Sequence, residues 1–502
     1  PPLRRPEMLV CNRKPRDRQR IRKLWSLLPL GNGVQYDVHE ADVGTALRGL
    51  QTRVFYHKEG GEWVRPARPR YTRVKHLLRK AKKKLLRNCA PTAPITRDEF
   101  LEYYKGRRRK VYKHAIESLL VDPVRKRDSY IQAFVKAEKL NTSKKVDPDP
   151  RIIQPRNPRY NVCLGCYIKP MEHRIYGAID EMCGGPTVMK GRNADDRGKA
   201  IADAWHSFKR PVAVGLDAHR FDQHVNVACL QFEHMIYHIL SGFDPILKKL
   251  MSWQLRLKGF VYCADGDIKY VSEGGRASGD MNTALGNVLL MCCIVKAYLI
   301  EVGADVRLIN DGDDCVLICE EETLPLLDGL TEWFNEFGMV LKVEQPVKEI
   351  EHIVFCQSQP VEVHPGQYRL VRDPRLTLAK DCVSTKPLQH KADWDYYRKA
   401  IADCGLALAG DVPIFNEFYS ALGRGAQSDR EVIFDTGMQF LSVGMERKYQ
   451  EPTNCCRISF DKAFNITPDE QIALECRYRE CVPEWCYPVQ VSRIGNLIST
   501  AC

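Results

Sequence analysis

Hydrophobic and polar positions change period along this chain, and the changes mark out its elements. Val212–Leu216 is an unbroken apolar run that stops at Asp217, which predicts a strand ending on a carboxylate, with a helix beginning near Asp222. Leu308-Ile309 and Val316–Ile318 are two more short apolar runs, separated by a turn containing Gly312, Asp313 and Asp314. That pattern predicts a buried hairpin with two adjacent acids at its tip, Gly312 supplying a turn conformation that a Cβ resists. Val271–Lys296 opens as a loop of small residues (Gly274, Gly275, Ser278, Gly279) and then turns apolar, predicting a helix from about Asn282 to Ile300. Thr283 and Asn287 lie four apart and share one face of it.

Alternation around Phe134 and Val135, a polar loop and then Arg151-Ile152-Ile153 predict two antiparallel strands. Such a pair lines Lys136, Lys139, Arg151 and Arg156 along one groove. Lys and Arg so placed suit a triphosphate, Arg through bidentate contacts. Thr331–Gln359 predicts a helix around Trp333, Phe334 and Phe337, a strand at Met339–Val343 carrying Lys342, and another strand at Ile353–Gln357. After Leu378 the period is helical, with Trp394, Tyr396, Tyr397, Phe415, Phe418 and Tyr419 expected in the core. Residues 1–30 are basic and punctuated by proline, an arm that ends in the apolar patch Trp25–Leu30.

Charge sharpens this picture once it is located. The net charge is +13 over 502 residues, yet residues 1–110 hold 29 basic against 10 acidic side chains. The basic excess therefore sits wholly in the first fifth, which points to a polyanionic partner there. Within Tyr71–Cys89, Val74, Leu77, Leu78, Leu85 and Leu86 alternate with basic groups, a cationic amphipathic helix. Its Arg79, Lys80, Lys82, Lys83 and Lys84, together with Arg156 further along, are candidates for RNA phosphates, with a membrane surface as the competing ligand of the helix.

Twenty cysteines are too sparse in a chain of this length for a disulfide scaffold. Several fall inside apolar runs (Cys292, Cys293, Cys315, Cys319), where a thiol behaves as a small hydrophobe, so a reducing compartment is expected. Cys163, Cys166, His173 and Cys183 offer metal-ligating atoms without a second pair at zinc spacing. Cys476, Cys481 and Cys486 have no ligand spacing at all. No signal peptide opens the chain, and no apolar run reaches the roughly 20 residues of a membrane span. The first residue is proline, which suits a processed or downstream product whose membrane anchor precedes it.

Acids between apolar strands need a counter-charge, and a divalent metal is the obvious one. Taken in order, Asp217-x4-Asp222, Ser278-Gly279-x3-Thr283-x3-Asn287 and Gly312-Asp313-Asp314 resemble motifs A, B and C of viral RNA-dependent RNA polymerases. Arg151–Val162 (RIIQPRNPRYNV), Glu172–Asp180 (EHRIYGAID) and Phe355-Cys356-Gln357 resemble the tombusvirus and carmovirus branch of plant viruses. The resemblance is firm from Lys136 to Gln359 and reaches the ends by extension.

It implies an α+β right hand. The N-terminal arm and extension would be 1–64, the fingers 65–210, the palm 211–377 with a fingers insertion near 230–272, and the thumb 378–502. It implies RNA synthesis from NTPs on a single-stranded viral RNA template with two Mg²⁺ or Mn²⁺ ions. Asp217 and Asp313 would hold the metals, Asp314 supporting; Lys136, Lys139 and Arg151 would meet the triphosphate. Asp222, Ser278 and Asn287 would read the ribose 2′-hydroxyl, with Thr283 nearby, and Lys342 would protonate pyrophosphate. An auxiliary viral protein, host factors and a membrane-bound replication complex in the host cytoplasm follow by the same implication. Two rivals remain: an RNA-primed DNA polymerase, against which Asn287 speaks, and a non-catalytic basic RNA-binding viral protein, which leaves the three aspartates unexplained.

Overall fold

The structure is a computed structural model and describes residues 7–14, 22–28, 34–428, 430, 438–485 and 490–491. The fold is α+β, as expected. Its centre is a four-stranded antiparallel sheet in the order Val306–Asp311, Asp314–Glu320, Pro211–Ala218, Leu341–Val343. One face of this sheet meets the long helices Pro158–Cys183, Val227–Leu240 and Thr283–Val302 in the largest apolar core. The other face is covered by Ala194–His206 and the segment around Phe355.

Thr283–Val302 runs through the largest core, with every side chain from Leu285 to Val295 buried. By length and composition it is apolar enough to cross a membrane, although no such span was expected from the sequence. In this fold 78% of its most apolar window is buried against other elements, so its hydrophobicity is spent on the core. The cationic stretch forms two helices, Tyr71–Leu77 and Arg79–Arg87, and lays Val74, Leu78, Ala81 and Leu85 on that same core.

A second sheet of five strands carries the basic pair. Its order is Met8–Arg13, Gly266–Glu273, Arg256–Cys263, Ile131–Val135, Ile152–Ile153. Phe134 faces Ile153 and Val135 faces Ile152 in an antiparallel register, the pairing that alternation predicts. The described parts of the expected arm are built into the body. Met8–Arg13 is an edge strand, and Leu24–Ser26 pairs with Val383–Ser384. Trp394 Nε1 donates to Leu27 O at 2.9 Å, so the start of the chain is tied to the C-terminal helices. Those helices, among them Lys391–Ala409, Phe415–Gly423 and Asn454–Phe464, close over a separate core containing Trp394, Phe415, Phe418 and Tyr419.

The strand expected at Ile353–Gln357 is a turn instead. Cys356 and Gln357 both have left-handed backbone (φ 51° and 60°), and Phe355 and Ser358 exchange backbone hydrogen bonds of 2.9 and 3.0 Å. Two successive positive φ values close a two-residue reverse turn, so the strand starts only at Ser358.

Candidate active site

The register of the central sheet collects the acids. Asp311 is paired with Asp314, Asp314 with Asp217, and Asp217 with Lys342, one residue from each of four strands. Directly opposed residues of antiparallel strands project from the same face, so the four make a row across the sheet. Gly312 and Asp313 form the two-residue turn at its end, Gly312 with φ 93°. Buried Asn310 pins that turn, accepting from Gly312 N at 3.0 Å and donating to Gly312 O at 2.8 Å.

The acids differ in their compensation. Asp311 is ion-paired with Lys190 and, at 2.7 Å, with Arg197. Burial opposes its charge, but the two cations hold its carboxyl below the usual range. Asp314 is pushed the other way, chiefly by burial and then by the like charge of Asp313. Among the described residues no Lys, Arg or His is ion-paired with Asp217, Asp313 or Asp314. Nor is any group of three His, Cys, Asp or Glu side chains already drawn in tightly enough to hold a metal. Three acids with oxygen-only donors, one strained by a neighbouring like charge, nonetheless fit a hard divalent ion that keeps several waters.

Behind this row the Asp222 carboxylate accepts from Asn287 Nδ2 at 2.8 Å. Burial pushes its carboxyl up, the Asn287 bond and Arg276 pull it down, and Asp313 raises it again. Asp222 and Asn287 are thus brought together beside the acids, as expected. Ser278 Oγ accepts from Gln154 N at 3.1 Å, and Thr283 Oγ1 donates to Ala277 O at 2.8 Å. Both hydroxyls fasten the loop that precedes the helix.

The basic groups divide. Lys136 and Arg151 flank Glu138 at 3.1 and 3.4 Å, and Arg151 is close enough to Asp222 to influence its charge. Lys139 turns away from them and donates to Lys380 O at 2.6 Å. Loss of hydration there lowers its ammonium to about 8, against the pull of Asp381. Arg156 is not on the groove at all. It is 4% exposed, ion-paired with buried Asp280 and bonded to Ser129 O. A charge so enclosed braces the fold, so the expectation that Arg156 meets RNA is corrected.

Arg79 donates to His76 O at 2.9 Å and Lys80 pairs with Glu301 at 3.1 Å, while Lys83 and Lys84 are exposed and Lys82 half-buried. Glu301 and Asn287 stand on one helix, about 21 Å apart at 1.5 Å per residue, so the basic helices lie well away from the acid row. Cys163 and Cys183 are likewise on one helix and about 30 Å apart, too far to share an ion. Cys476 and Cys481 are free thiols, and Cys486 lies outside the described residues.

Against this geometry the comparisons are decisive. A family model described as viral RNA dependent RNA polymerase matches residues 8–485. The chain belongs to the viral RNA-dependent RNA polymerase family. Its similar relatives within that family include the RNA-directed RNA polymerase of Maize chlorotic mottle virus, 40% identical over 93% of this chain and 49% of the relative. Those of Turnip crinkle virus and Carnation mottle virus are also 40% identical, each over 91% of this chain and 60% of the relative. The tombusvirus and carmovirus resemblance is borne out. The chain spans about half to three-fifths of the length of these polymerases.

Four residues of the site escaped the sequence reading. Asp311 and Asn310 stand immediately before the glycine, and nothing in their spacing distinguishes a paired acid from a metal ligand. Glu233 and Arg276 are fully buried partners of Asn287 and Asn282. A lone acid in the apolar run Ala228–Leu240 and a lone arginine after two glycines were the available signals.

Proposed function

We propose that this chain carries an RNA-directed RNA polymerase activity, joining NTPs on a single-stranded RNA template. The observation that carries the reading is the row Asp314–Asp217–Lys342 across three strands, with Asp313 at the adjacent turn. Divalent Mg²⁺ or Mn²⁺, two ions in this reading, supplies activation of the attacking 3′-hydroxyl and stabilisation of the leaving pyrophosphate. Asp217 and Asp313 hold that charge, and Asp314 supports them from the neighbouring position. Lys136 and Arg151 neutralise the triphosphate from the edge of the five-stranded sheet. Lys139, held at Lys380, serves the triphosphate only if that contact opens. Asp222 and Asn287 face the ribose 2′-hydroxyl, with Ser278 and Thr283 holding their loop. Lys342, exposed on its strand opposite Asp217, protonates the departing pyrophosphate.

In this reading the central sheet is the palm (211–377), the five-stranded sheet and the cationic helices belong to the fingers (65–210, with the insertion near 230–272), and residues 378–502 form the thumb. The described residues of the arm, 1–64, tie fingers to thumb. A separate apolar core under the C-terminal helices supports that division. The cationic helices, remote from the acid row, contact RNA outside the catalytic centre. The activity serves viral genome replication on host cytoplasmic membranes with an auxiliary viral protein and host factors.

The test is RNA synthesis by the purified chain with single-stranded RNA, four ribonucleotides and Mg²⁺ or Mn²⁺, comparing wild type with Asp313→Ala. Template-length product from wild type alone is expected. Equal product from both would overturn the site assignment, and deoxynucleotide incorporation at equal rate would favour a DNA polymerase.

A further inference from the structure

Behind Asp222 and Asn287 lies a charged cluster that no solvent reaches. The Arg276 and Glu233 side chains are both 0% exposed and ion-paired at 2.5 Å. Arg276 Nη1 donates to the other Glu233 oxygen at 3.1 Å, a two-pronged contact that fixes the guanidinium plane. Glu233 also accepts from Asn282 Nδ2 at 2.6 Å and from Tyr237 at 2.9 Å, so the carboxylate itself is locked. The third guanidinium nitrogen, Nε, donates to Asn287 Oδ1 at 3.0 Å. The backbone adds a further link: Arg276 N donates to Asp222 O at 2.7 Å.

An asparagine amide has one accepting and one donating end, and rotation by half a turn exchanges them. Because Arg276 can only donate, it accepts no orientation of Asn287 other than Oδ1 toward itself. Nδ2 must then face Asp222, where it donates at 2.8 Å. We propose that Arg276, held by Glu233, is the positioning residue that sets the Asn287 amide and through it the Asp222 carboxylate, and so governs discrimination between ribose and 2′-deoxyribose. The inference rests on the reading of Asp222 and Asn287 as the ribose-facing pair. Gly286 is part of the same device: a Cβ there would stand 2.4 Å from Glu233 Oε1 and 2.5 Å from Arg276 Nη2. The sequence around the helix start therefore leaves room for the ion pair immediately beneath Asn287.

The sharp variant is Arg276→Lys. It keeps a cation beside Glu233 but loses the planar fork that serves Glu233 and Asn287 together. The experiment measures single-nucleotide addition by the purified chain on a primed RNA template, giving kcat and KM for a ribonucleotide and its 2′-deoxy analogue. The expected result is a ribo-to-deoxy preference reduced about tenfold, the worth of one oriented hydrogen bond, with the loss on the ribonucleotide side. Glu233→Gln with Arg276→Met removes both buried charges. It is expected to melt closer to wild type than either single change, and still to lack the preference. An unchanged preference in a folded Arg276→Lys enzyme overturns the proposal, as does recovery of preference in the double variant. Asp222→Ala separates the two levels. If it also leaves the preference unchanged, the ribose-facing reading itself is wrong; if it abolishes the preference while Arg276→Lys does not, only the positioning role falls.

Discussion

Two places in this molecule set carboxylates against apolar strands and helices, one sealed from solvent and one open to it, and they are treated in opposite ways. Glu233 has its cation built in: Arg276 meets both oxygens, and Asn282 and Tyr237 satisfy what remains. Asp217, Asp313 and Asp314 have no such partner among the described residues, although Asp311, one strand along, has both Lys190 and Arg197. Burying an ion costs several kcal/mol unless it is compensated, so Glu233 needs its built-in cation, whereas Asp217, Asp313 and Asp314 stand without one because all three are exposed to solvent and to an incoming charge. The difference separates a brace from a working site. Where the counter-charge is a side chain, geometry is permanent; where it must arrive from solution, it can carry substrate with it.

Removing the acids should therefore affect different quantities at the two places. Asp313→Asn or Asp217→Asn should lower RNA synthesis by about a thousandfold, the value of several kcal/mol of transition-state stabilisation. Neither should lower the melting temperature measured without divalent ions. Glu233→Ala, which strands the Arg276 charge in the core, should destabilise the fold by about 3–5 kcal/mol, read as a shift in the urea midpoint. A large loss of stability in Asp313→Asn, or none in Glu233→Ala, would erase the contrast.

A smaller effect probes the brace without touching a charge. Gly286→Ala pushes a methyl group onto Glu233 and Arg276, neither of which is a free side-chain end. Overpacking of this kind costs about 1–3 kcal/mol. The same change at Gly177, where a Cβ meets nothing within 4 Å, should instead be neutral or slightly stabilising through helix propensity. Equal melting temperatures for the two variants would show that the ion pair can shift to make room.

Most of the working site was legible because its parts are local and periodic. The apolar run that stops at Asp217, the hairpin around Gly312 and the pair Thr283 and Asn287 on one face all follow from periods of 2 and 3.6. The brace was not legible, because Glu233 and Arg276 are 43 residues apart and only the packed fold brings them together. Arg156 misled for a related reason: a basic residue beside basic strands looks exposed until Asp280, on a distant loop, closes over it. The turn at Cys356-Gln357 was missed because neither residue is a usual carrier of positive φ. Sequence pattern reports which face a residue occupies, and it reports partners poorly when they come from far along the chain.

The mildest prediction concerns how the acid row responds to pH and to Mg²⁺. Asp314 has its carboxyl raised by burial and by Asp313, so the folded protein holds that proton more firmly than the unfolded chain. A raised folded value favours the fold below the ordinary carboxylate range, and the benefit is lost as pH rises through the folded value. Without metal, Asp314 therefore contributes less to stability at neutral pH than below the ordinary carboxylate range. Mg²⁺ acts in the opposite direction, since it binds only the ionised acids and stabilises by mass action. The rise in melting temperature caused by Mg²⁺ should accordingly grow as pH rises from the ordinary carboxylate range toward neutrality. In Asp313→Asn the like charge is gone, so Asp314 ionises at lower pH while one ligand is lost. The Mg²⁺ response should then be small and nearly flat across that range. A response equally large in wild type and Asp313→Asn, or independent of pH in wild type, would mean that the stabilising cation binds somewhere other than this row.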